Sequence, residues 1–376
     1  MKKLFDLIDK TALANQRKVL DAFIAEKIEP RHFAASTGYG YGDVGREALC
    51  RVFARCMGAE SAIVSPLIAS GTHAIAAALF GVLRPGGRLV CATGQPYDTL
   101  RQSIWGDGCG SLKDYGIKAE TGKNYAGADA VFIGRSRGYE WRETLSVNDI
   151  LLLVNRIKKA NSKAVIIVDN CYGEFVETRE PCEVGADLIA GSLIKNPGGG
   201  LAPTGGYIAG RAALLGAVAN RLTAPGIGGE VGSCASGYLP YFQGLFTAPH
   251  VTAGALKASV LFRQFFAKRG YEVSPKATKA GGDIIAAIKF NDPDKLLKFA
   301  RIVQANSPVD SAATPTPWDM PGYEHQVVMA AGAFVQGASI ELSADAPMKP
   351  PYIAYVQGAL TLEHAKLVLL QCEQCF

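Results

Sequence analysis

Four short segments of this 376-residue chain combine residue types that could do chemistry. The first is GSLIKNPGGG (191–200), where Lys195 lies in an uncharged, glycine-rich stretch after an apolar run. Burial disfavours the charged form of a lysine, so we expect its pKa to be lowered, and a neutral amine can form a Schiff base with an aldehyde. A lysine in a surface loop is the alternative that this segment leaves open.

The second segment, VDN (168–170), places Asp169 at the end of the wholly apolar run VIIV. A carboxylate in such a position is costly unless a cation or several hydrogen-bond donors partner it. A protonated pyridine nitrogen would serve, through a charge-assisted hydrogen bond worth roughly 1.5–3 kcal/mol. A structural cap on the following turn is the alternative interpretation.

The other two segments could hold a phosphate and a planar ring. Ser70, Gly71 and Thr72 precede a predicted helix of small residues, where backbone amides and two hydroxyls suit a phosphate. An ordinary helix N-cap is the alternative for this segment. In GQPYDT (94–99), Tyr97 is placed to lay its ring over a planar ligand, although a tyrosine at a turn also packs without any ligand.

The order and spacing of the four segments are more specific than any one of them. A glycine turn with hydroxyls, an aromatic residue, an acid at a strand end and Ser-x-x-Lys (192–195) follow one another along the chain. This layout resembles that of a pyridoxal phosphate enzyme of the aspartate-aminotransferase-like fold, whose cofactor needs a phosphate cradle, a ring stack, an acid and a lysine. No G-x-G-x-x-G follows the first predicted strand, so a nicotinamide dehydrogenase is not expected.

The elements that must position these segments alternate between strands and helices. Such alternation predicts an α/β fold with a mainly parallel sheet covered on both faces, which binds its ligands beyond the carboxyl ends of the strands. The predicted strands are 62–65, 88–92, 130–133, 164–169, 187–192 and 206–209. The predicted helices of this part are 2–27, 72–83, 97–105, 147–160 and 212–220.

A second, smaller α+β domain is predicted after a glycine-, proline- and aromatic-rich segment, 223–247. We therefore divide the chain into an N-terminal helix and arm (1–45), a large cofactor-binding domain (46–248) and a small C-terminal domain (249–376). The predicted helices of the small domain are 250–268, 293–306 and 361–371, and its predicted strands are 283–288, 327–331 and 339–342.

Composition and charge exclude several classes of protein. The chain is 48% hydrophobic and 19% charged, which excludes disorder, and its 42 Gly and 19 Pro have no three-residue period. The net charge of +5 is unclustered, so no nucleic-acid partner is expected. The longest apolar run, 74–83, is shorter than the ~20 residues that span a bilayer, and Asp6 and Asp9 interrupt any signal-peptide core.

Cysteine usage favours a cytoplasmic location. Nine cysteines are scattered without a repeated spacing, as suits reduced thiols. The single CxxC, at 372–375, has no second pair with which to hold zinc and does not begin a βαβ unit. We interpret it as incidental and expect no metal site.

Longer motifs extend the resemblance to a family. The chain resembles the methionine γ-lyase-like, aluminium-resistance-associated carbon–sulfur lyases, relatives of the Cys/Met-metabolism enzymes, over nearly its whole length. The motifs that carry the resemblance are TGYGYGDVGRE (37–47), SGTHAI (70–75), LRPGGRLVCATGQPYDTL (83–100), RSRGYEWR (135–142), VDNCYGEFVE (168–177), GSLIKNPGGGLAPTGGYIAG (191–210), TAPGIGGEVG (223–232), IELSADAP (340–347) and YVQGALTLEHAK (355–366).

The resemblance implies pyridoxal 5′-phosphate as the cofactor. It makes Lys195 the catalytic lysine joined to the cofactor, Asp169 the partner of the ring nitrogen and Tyr97 the stacking ring. The implied phosphate site consists of Ser70, Gly71, Thr72 and the hydroxyl of Ser192.

The resemblance also implies an active site shared between subunits. In the wider Cys/Met group, a tyrosine and an arginine near the N-terminus reach the phosphate of the neighbouring subunit. The candidates in this chain are Tyr39, Tyr41 and Arg46, at a different spacing. A homodimer or homotetramer is therefore expected.

Two positions depart from the family pattern on the substrate side. Lys349 stands where an arginine is expected to bind the α-carboxylate of the substrate, and lysine lacks the bidentate fork. Arg137 could contribute instead, and Lys349 could equally be a surface residue. Gly134 stands where a glutamine is expected.

These features favour a carbon–sulfur lyase that acts on a sulfur-containing amino acid, of the cystathionine β-lyase or methionine γ-lyase type. Two alternatives stay open. One is a different reaction on the same cofactor, such as γ-replacement, transamination or racemisation. The other is a non-catalytic protein that binds pyridoxal phosphate.

Overall fold

The computed structural model describes all 376 residues. Its helices are α1 (Lys2–Ala25), α2 (Val44–Cys56), α3 (Gly71–Val82), α4 (Asp98–Trp105), α5 (Val147–Ala160), α6 (Ala212–Leu222), α7 (Leu239–Lys268), α8 (Pro293–Ala305) and α9 (Leu362–Glu373). Its strands are β1 (Ser61–Ser65), β2 (Arg88–Cys91), β3 (Lys118–Thr121), β4 (Ala130–Gly134), β5 (Val165–Asp169), β6 (Leu188–Ser192), β7 (Gly206–Gly210), β8 (Glu272–Ser274), β9 (Ala286–Lys289), β10 (Val327–Ala330), β11 (Ser343–Pro347) and β12 (Ile353–Gln357).

The first seven strands form one sheet in the order β1-β7-β6-β5-β4-β2-β3. Strand β7 is antiparallel to β1 and β6, and the five strands β2 to β6 pair in parallel, so the predicted mainly parallel sheet is confirmed. The sequence reading missed β3, because this edge strand is largely exposed and KAET carries no apolar pattern.

Both faces of the sheet are covered, as the continuous apolar run in β5 predicts. Ile166 and Val168 point into one core with residues of α2 and α5, whereas Ile167 between them joins a second core with α3 and α6. This two-sided burial leaves the carboxyl ends of β4, β5 and β6 as the open edge on which a ligand can bind.

The remaining five strands form a separate antiparallel sheet in the order β10-β11-β12-β9-β8. The helices α7, α8 and α9 pack on one face through an apolar core that includes Phe262, Phe299 and Val368. The predicted strand at 339–342 is wrong, because β11 begins at Ser343. Ile340 and Leu342 are fully buried, and it is this apolar run that resembles a strand in the sequence.

The helix α7 begins at Leu239, eleven residues before the predicted start at His250. Pro240 occupies the first turn, where no amide donor is needed, and Pro249 is accommodated inside a helix that is buried along much of its length. The proposed domain boundary at 248/249 falls within α7, which contacts both α1 and β9. No helix of the chain is both long and apolar enough to cross a bilayer.

Candidate active site

A cavity of about 370 Å³ lies at the carboxyl ends of the central parallel strands and extends to the face of the small sheet that the helices leave uncovered. Nine of the twelve site residues predicted from the sequence line it. They are Ser70, Gly71, Thr72, Tyr97, Arg137, Asp169, Ser192, Lys195 and Lys349.

Lys195 follows β6 and lies in a tight turn that glycines make possible. The amide of Gly198 donates to the carbonyl of Lys195 at 3.2 Å, and a Cβ on Gly198 would overlap the carbonyl oxygen of Leu193. Asn196 Nδ2 donates to the carbonyl of Glu174 at 3.0 Å, which fixes the turn to the neighbouring loop. The Nζ atom of Lys195 lies 4.0 Å from the ring centroid of Tyr172.

The expectation that the pKa of Lys195 is lowered is wrong for the protein without a bound cofactor. Burial lowers the pKa of Lys195, but the surrounding acidic groups, Cys171, Tyr172 and Asp169 among them, more than offset this and hold it above its usual value. The carboxylate of Asp169 stabilises the ammonium as long as that carboxylate has no other cation to pair with.

Asp169 ends β5 and faces the cavity. Its Oδ1 accepts the amide of Cys171 at 3.0 Å, and no side chain donates to Oδ2. Burial raises the pKa of Asp169, and the Lys195 ammonium partly counteracts the rise. The free carboxylate oxygen is therefore available to a cation in the cavity.

The predicted phosphate site forms at the N-terminus of α3. Ser70 caps the helix, with Oγ accepting the amide of His73 at 3.1 Å, so the ordinary N-cap role is present. A Cβ on Gly71 would lie 3.1 Å from Cys171 Sγ and 3.5 Å from Ser192 Cβ, which shows how closely β6 and the loop after β5 approach this helix end. The first amides of a helix have no intrahelical acceptor and favour an anion.

Tyr97 precedes α4 and belongs to a cluster of tyrosine rings. Its ring centroid lies 5.5 Å from that of Tyr139 and 5.8 Å from that of Tyr323, and its hydroxyl is 2.5 Å from the hydroxyl of Tyr323. Burial raises the pKa of Tyr97 well above its usual value, so the phenol is neutral. Its ring is thus held rigidly at the cavity wall.

Arg137 is the most unusual side chain of the site. It is 1% exposed, and none of its three guanidinium nitrogens has a hydrogen-bond partner. The equally buried Arg135 and Arg263 bond several carbonyl or carboxylate oxygens. A buried guanidinium without partners calls for an anionic ligand. Lys349, by contrast, is only partly buried and lies near Asp98.

The structure does not bring Tyr39, Tyr41 and Arg46 to this cavity. Both tyrosines are 70% exposed, and their ring centroids are 5.5 Å apart. The Arg46 guanidinium instead donates to the carbonyls of Gly232 at 2.8 Å and Glu230 at 3.3 Å.

Sequence reasoning missed the part of the site that comes from the small domain. Asp345, Tyr355 and Gln357 line the cavity from β11 and β12, and Tyr323 lines it from a preceding loop. The one signal in the sequence is an acid in the middle of the apolar strand SADAP.

A buried acid beneath the lysine turn gives a prediction about pH. Burial raises the pKa of Glu174 to about 8, and Tyr207 donates a hydrogen bond to its Oε1 at 2.7 Å. Unfolded chains lose this proton near pH 4.5, whereas the folded protein keeps it to about pH 8, so the contribution of Glu174 to stability falls between these values. We expect the Glu174→Gln variant to gain melting temperature relative to the wild type between pH 5.5 and pH 8.5. A melting difference that is independent of pH would contradict this.

Comparison with known proteins places these features in a family. The family model described as methionine gamma-lyase matches residues 1–375. A Listeria monocytogenes protein, provisionally described as a cystathionine beta-lyase involved in aluminium resistance, is 46% identical with a TM-score of 0.96, covering 99% of this chain and 96% of that chain. A Clostridium novyi carbon-sulfur lyase involved in aluminium resistance is 46% identical with a TM-score of 0.93, and the match covers 99% of this chain and 92% of that chain.

More distant proteins share the fold. The pyridoxal-5′-phosphate-dependent protein YhfS of Escherichia coli is 17% identical, with a TM-score of 0.65, and the match covers 98% of this chain and 97% of that chain. This likeness concerns the arrangement of helices and strands, and confirms the predicted fold class.

Proposed function

Because the chain belongs to the methionine gamma-lyase family, we propose that it is a pyridoxal phosphate-dependent carbon–sulfur lyase acting on a sulfur-containing amino acid. The observation that carries the proposal is that one cavity brings together Lys195, Asp169 and the N-terminus of α3. These are the amine, the acid and the anion site that this cofactor requires.

The residues of the cavity fit the cofactor. Lys195 would be joined to its aldehyde, and the free oxygen of Asp169 would accept a hydrogen bond from its protonated ring nitrogen. A side chain at position 71 would press against Cys171, so glycine lets the start of α3 lie close to Ser192. This closeness supports a phosphate held by the Gly71 and Thr72 amides together with Ser192. Ser70 ends the same loop, and Tyr97 would lie beside the ring.

Pyridoxal phosphate, when bound, supplies an electron-withdrawing ring that stabilises negative charge at the α-carbon of an amino acid. The amine of Lys195 is then the general base and acid that takes and returns the α-proton. Asp169 would stabilise the positive charge on the ring nitrogen, and this pairing would remove one of the groups that keep the lysine protonated. The rings of Tyr97, Tyr139 and Tyr323 pack against one another at the cavity wall.

The overall reaction proposed is elimination at the β or γ carbon. An S-substituted amino acid and water give a thiol, a 2-oxo acid and ammonia. Purified protein supplied with pyridoxal phosphate should release a 2-oxo acid together with a thiol from cystathionine or methionine, or together with hydrogen sulfide from cysteine. A protein that shows the visible absorbance of the cofactor but releases neither product would overturn the lyase in favour of another reaction or of simple binding.

We propose that Arg137 binds the α-carboxylate of the substrate. Its unpartnered, buried guanidinium has the planar fork that matches a carboxylate, and its environment supplies no other anion within hydrogen-bond distance. Lys349 is half-buried, and it is therefore the weaker candidate.

The Arg137→Gln variant should raise the KM for the substrate about 10- to 100-fold, because it removes a charge-assisted hydrogen bond that contributes about 1.5–3 kcal/mol to binding. Steady-state kinetics of this variant beside the Lys349→Gln variant would separate the two candidates. A large KM effect in the lysine variant with none in the arginine variant would reverse the assignment.

We also propose a homodimer or homotetramer, located in the cytoplasm, whose active sites are shared between subunits. The exposed rings of Tyr39 and Tyr41 support a partner surface, since they lie next to each other and adjoining exposed apolar groups mark interaction sites. Arg46 lies on the same face, next to the loop 228–232. All nine cysteines are unpaired, which supports a reducing compartment. Light scattering of the purified protein would measure the assembly.

A further inference from the structure

We propose that Asp345 and the tyrosine rings beside it form a cation subsite, which selects a substrate whose sulfur-linked group ends in an ammonium. This inference rests on the proposed function for the sulfur, but the recognition of the ammonium can be tested without turnover. It concerns the part of the cavity contributed by the small domain.

The register of the small sheet directs Asp345 toward the cavity. Asp345 lies opposite Met329 on β10 and opposite Tyr355 on β12, and directly opposite residues of antiparallel strands project from the same face. All three line the cavity, whereas Ala344 and Ala346 face the helices on the other side. Asp345 is therefore the one acid that the small sheet presents to the substrate space.

Nothing in the protein neutralises this carboxylate by direct pairing. Gln357 Nε2 donates to Asp345 Oδ2 at 3.2 Å, and Asp345 takes part in no salt bridge. Burial raises the pKa of Asp345, while the neighbouring side chains of Tyr139 and Gln357 and the charge of Lys195 counteract the rise. The lysine is assigned to the cofactor, so the carboxylate is left for a second cation.

The tyrosine rings add to the attraction for a cation. Tyr139 lies at the centre of the cluster, with its ring centroid 5.5 Å from Tyr97, 5.8 Å from Tyr323 and 5.2 Å from Tyr355. The faces of such rings carry negative potential and attract ammonium groups, most strongly where water is excluded. The hydroxyl of Tyr139 is buried without a hydrogen-bond partner in the protein, so it too can accept from a ligand.

The cavity thus offers an unpartnered guanidinium at Arg137 and an unpaired carboxylate at Asp345. A substrate with a carboxylate and a distal ammonium satisfies both. A substrate that ends in a methyl group leaves Asp345 desolvated and unpaired, and a site built for a polar group discriminates strongly against such an analogue.

Two substrates of equal length test the proposal. S-(2-aminoethyl)-L-cysteine and S-propyl-L-cysteine differ only in a terminal ammonium against a terminal methyl group. We expect the holoenzyme to favour the ammonium compound at least about 30-fold in kcat/KM, as the loss of one charge-assisted bond implies. In the Asp345→Asn variant, the ratio of the two kcat/KM values should fall to about threefold or less. The change should come from a lower kcat/KM for the ammonium compound, with the value for the propyl compound unchanged. Equal preference in the wild type, or an equal loss with both substrates in the variant, would overturn the subsite.

Binding of compounds without sulfur separates this inference from the lyase function. Calorimetry of the holoenzyme should give a tighter Kd for L-lysine than for L-2-aminoheptanoate, and the difference should vanish in the Asp345→Asn variant. This result would support the subsite even if no carbon–sulfur bond were cleaved, and equal affinities would refute it. The Asp98→Asn variant is the matched control, because Asp98 lines the same cavity but pairs with Arg101 at 3.0 Å, and it should keep the preference.

Discussion

The Lys195→Ala variant should lose carbon–sulfur lyase turnover by at least about 10⁴-fold, the upper range for removal of a general base. The substitution removes both the covalent attachment of the cofactor and the group that moves the α-proton. It should also abolish the visible absorbance of the bound cofactor, because Lys195 is the one cavity lysine whose charge acts on Asp169.

Absorption spectra before and after borohydride reduction, followed by mass spectrometry of the reduced protein, would locate the modified residue. The Lys349→Ala variant is the control, since Lys349 also lines the cavity but its charge acts on Asp98. It should keep the wild-type spectrum. A Lys195→Ala protein with an unchanged spectrum would exclude this lysine as the attachment site.

The Asp169→Asn variant should lower turnover about 100-fold or more while leaving the fold nearly intact. The asparagine keeps the shape and can still accept the amide of Cys171. It cannot supply the negative charge that would hold a protonated ring nitrogen, and such a charge-assisted bond accounts for roughly 1.5–3 kcal/mol. The loss should therefore appear in kcat and in cofactor affinity.

The matched control is Asp187→Asn, at the opposite end of the neighbouring strand β6. Asp187 pairs with Lys158 at 2.9 Å and Arg211 at 3.1 Å, far from the carboxyl ends of the strands. This variant should lower the melting temperature and leave kcat unchanged. If Asp169→Asn instead lowered the melting temperature and activity in parallel, Asp169 would be a structural acid.

Much of the large domain could be read from the sequence, because its signals are local. The run VIIV before Asp169 and the alternation of short apolar runs with helical patterns predicted six of the seven strands of the large sheet and its mainly parallel arrangement. Since parallel strands end at one edge, residues at strand ends had to meet there. The segments around Ser70, Tyr97, Asp169 and Lys195 do line one cavity.

The substrate side of the cavity depended on contacts that no local pattern encodes. Arg137 has no hydrogen-bond partner because no acceptor in the folded chain lies within reach of its guanidinium, and only the tertiary structure shows this. The position of Asp345 depends on the register of β11 with β10 and β12, and a run of buried residues before β11 obscured that strand.

The sequence by itself determined the order of the elements and the strand ends at which the lysine and the acid would meet, because a strand buried on both faces of a parallel sheet needs a continuous apolar run. Tertiary structure alone decided the charge balance. The acidic groups around Lys195 raise its pKa although burial lowers it. The small sheet brings Asp345 into the same cavity as Lys195, although the two residues are 150 positions apart in the sequence. Electrostatic free energies depend on distances across the fold, and only packing sets those distances.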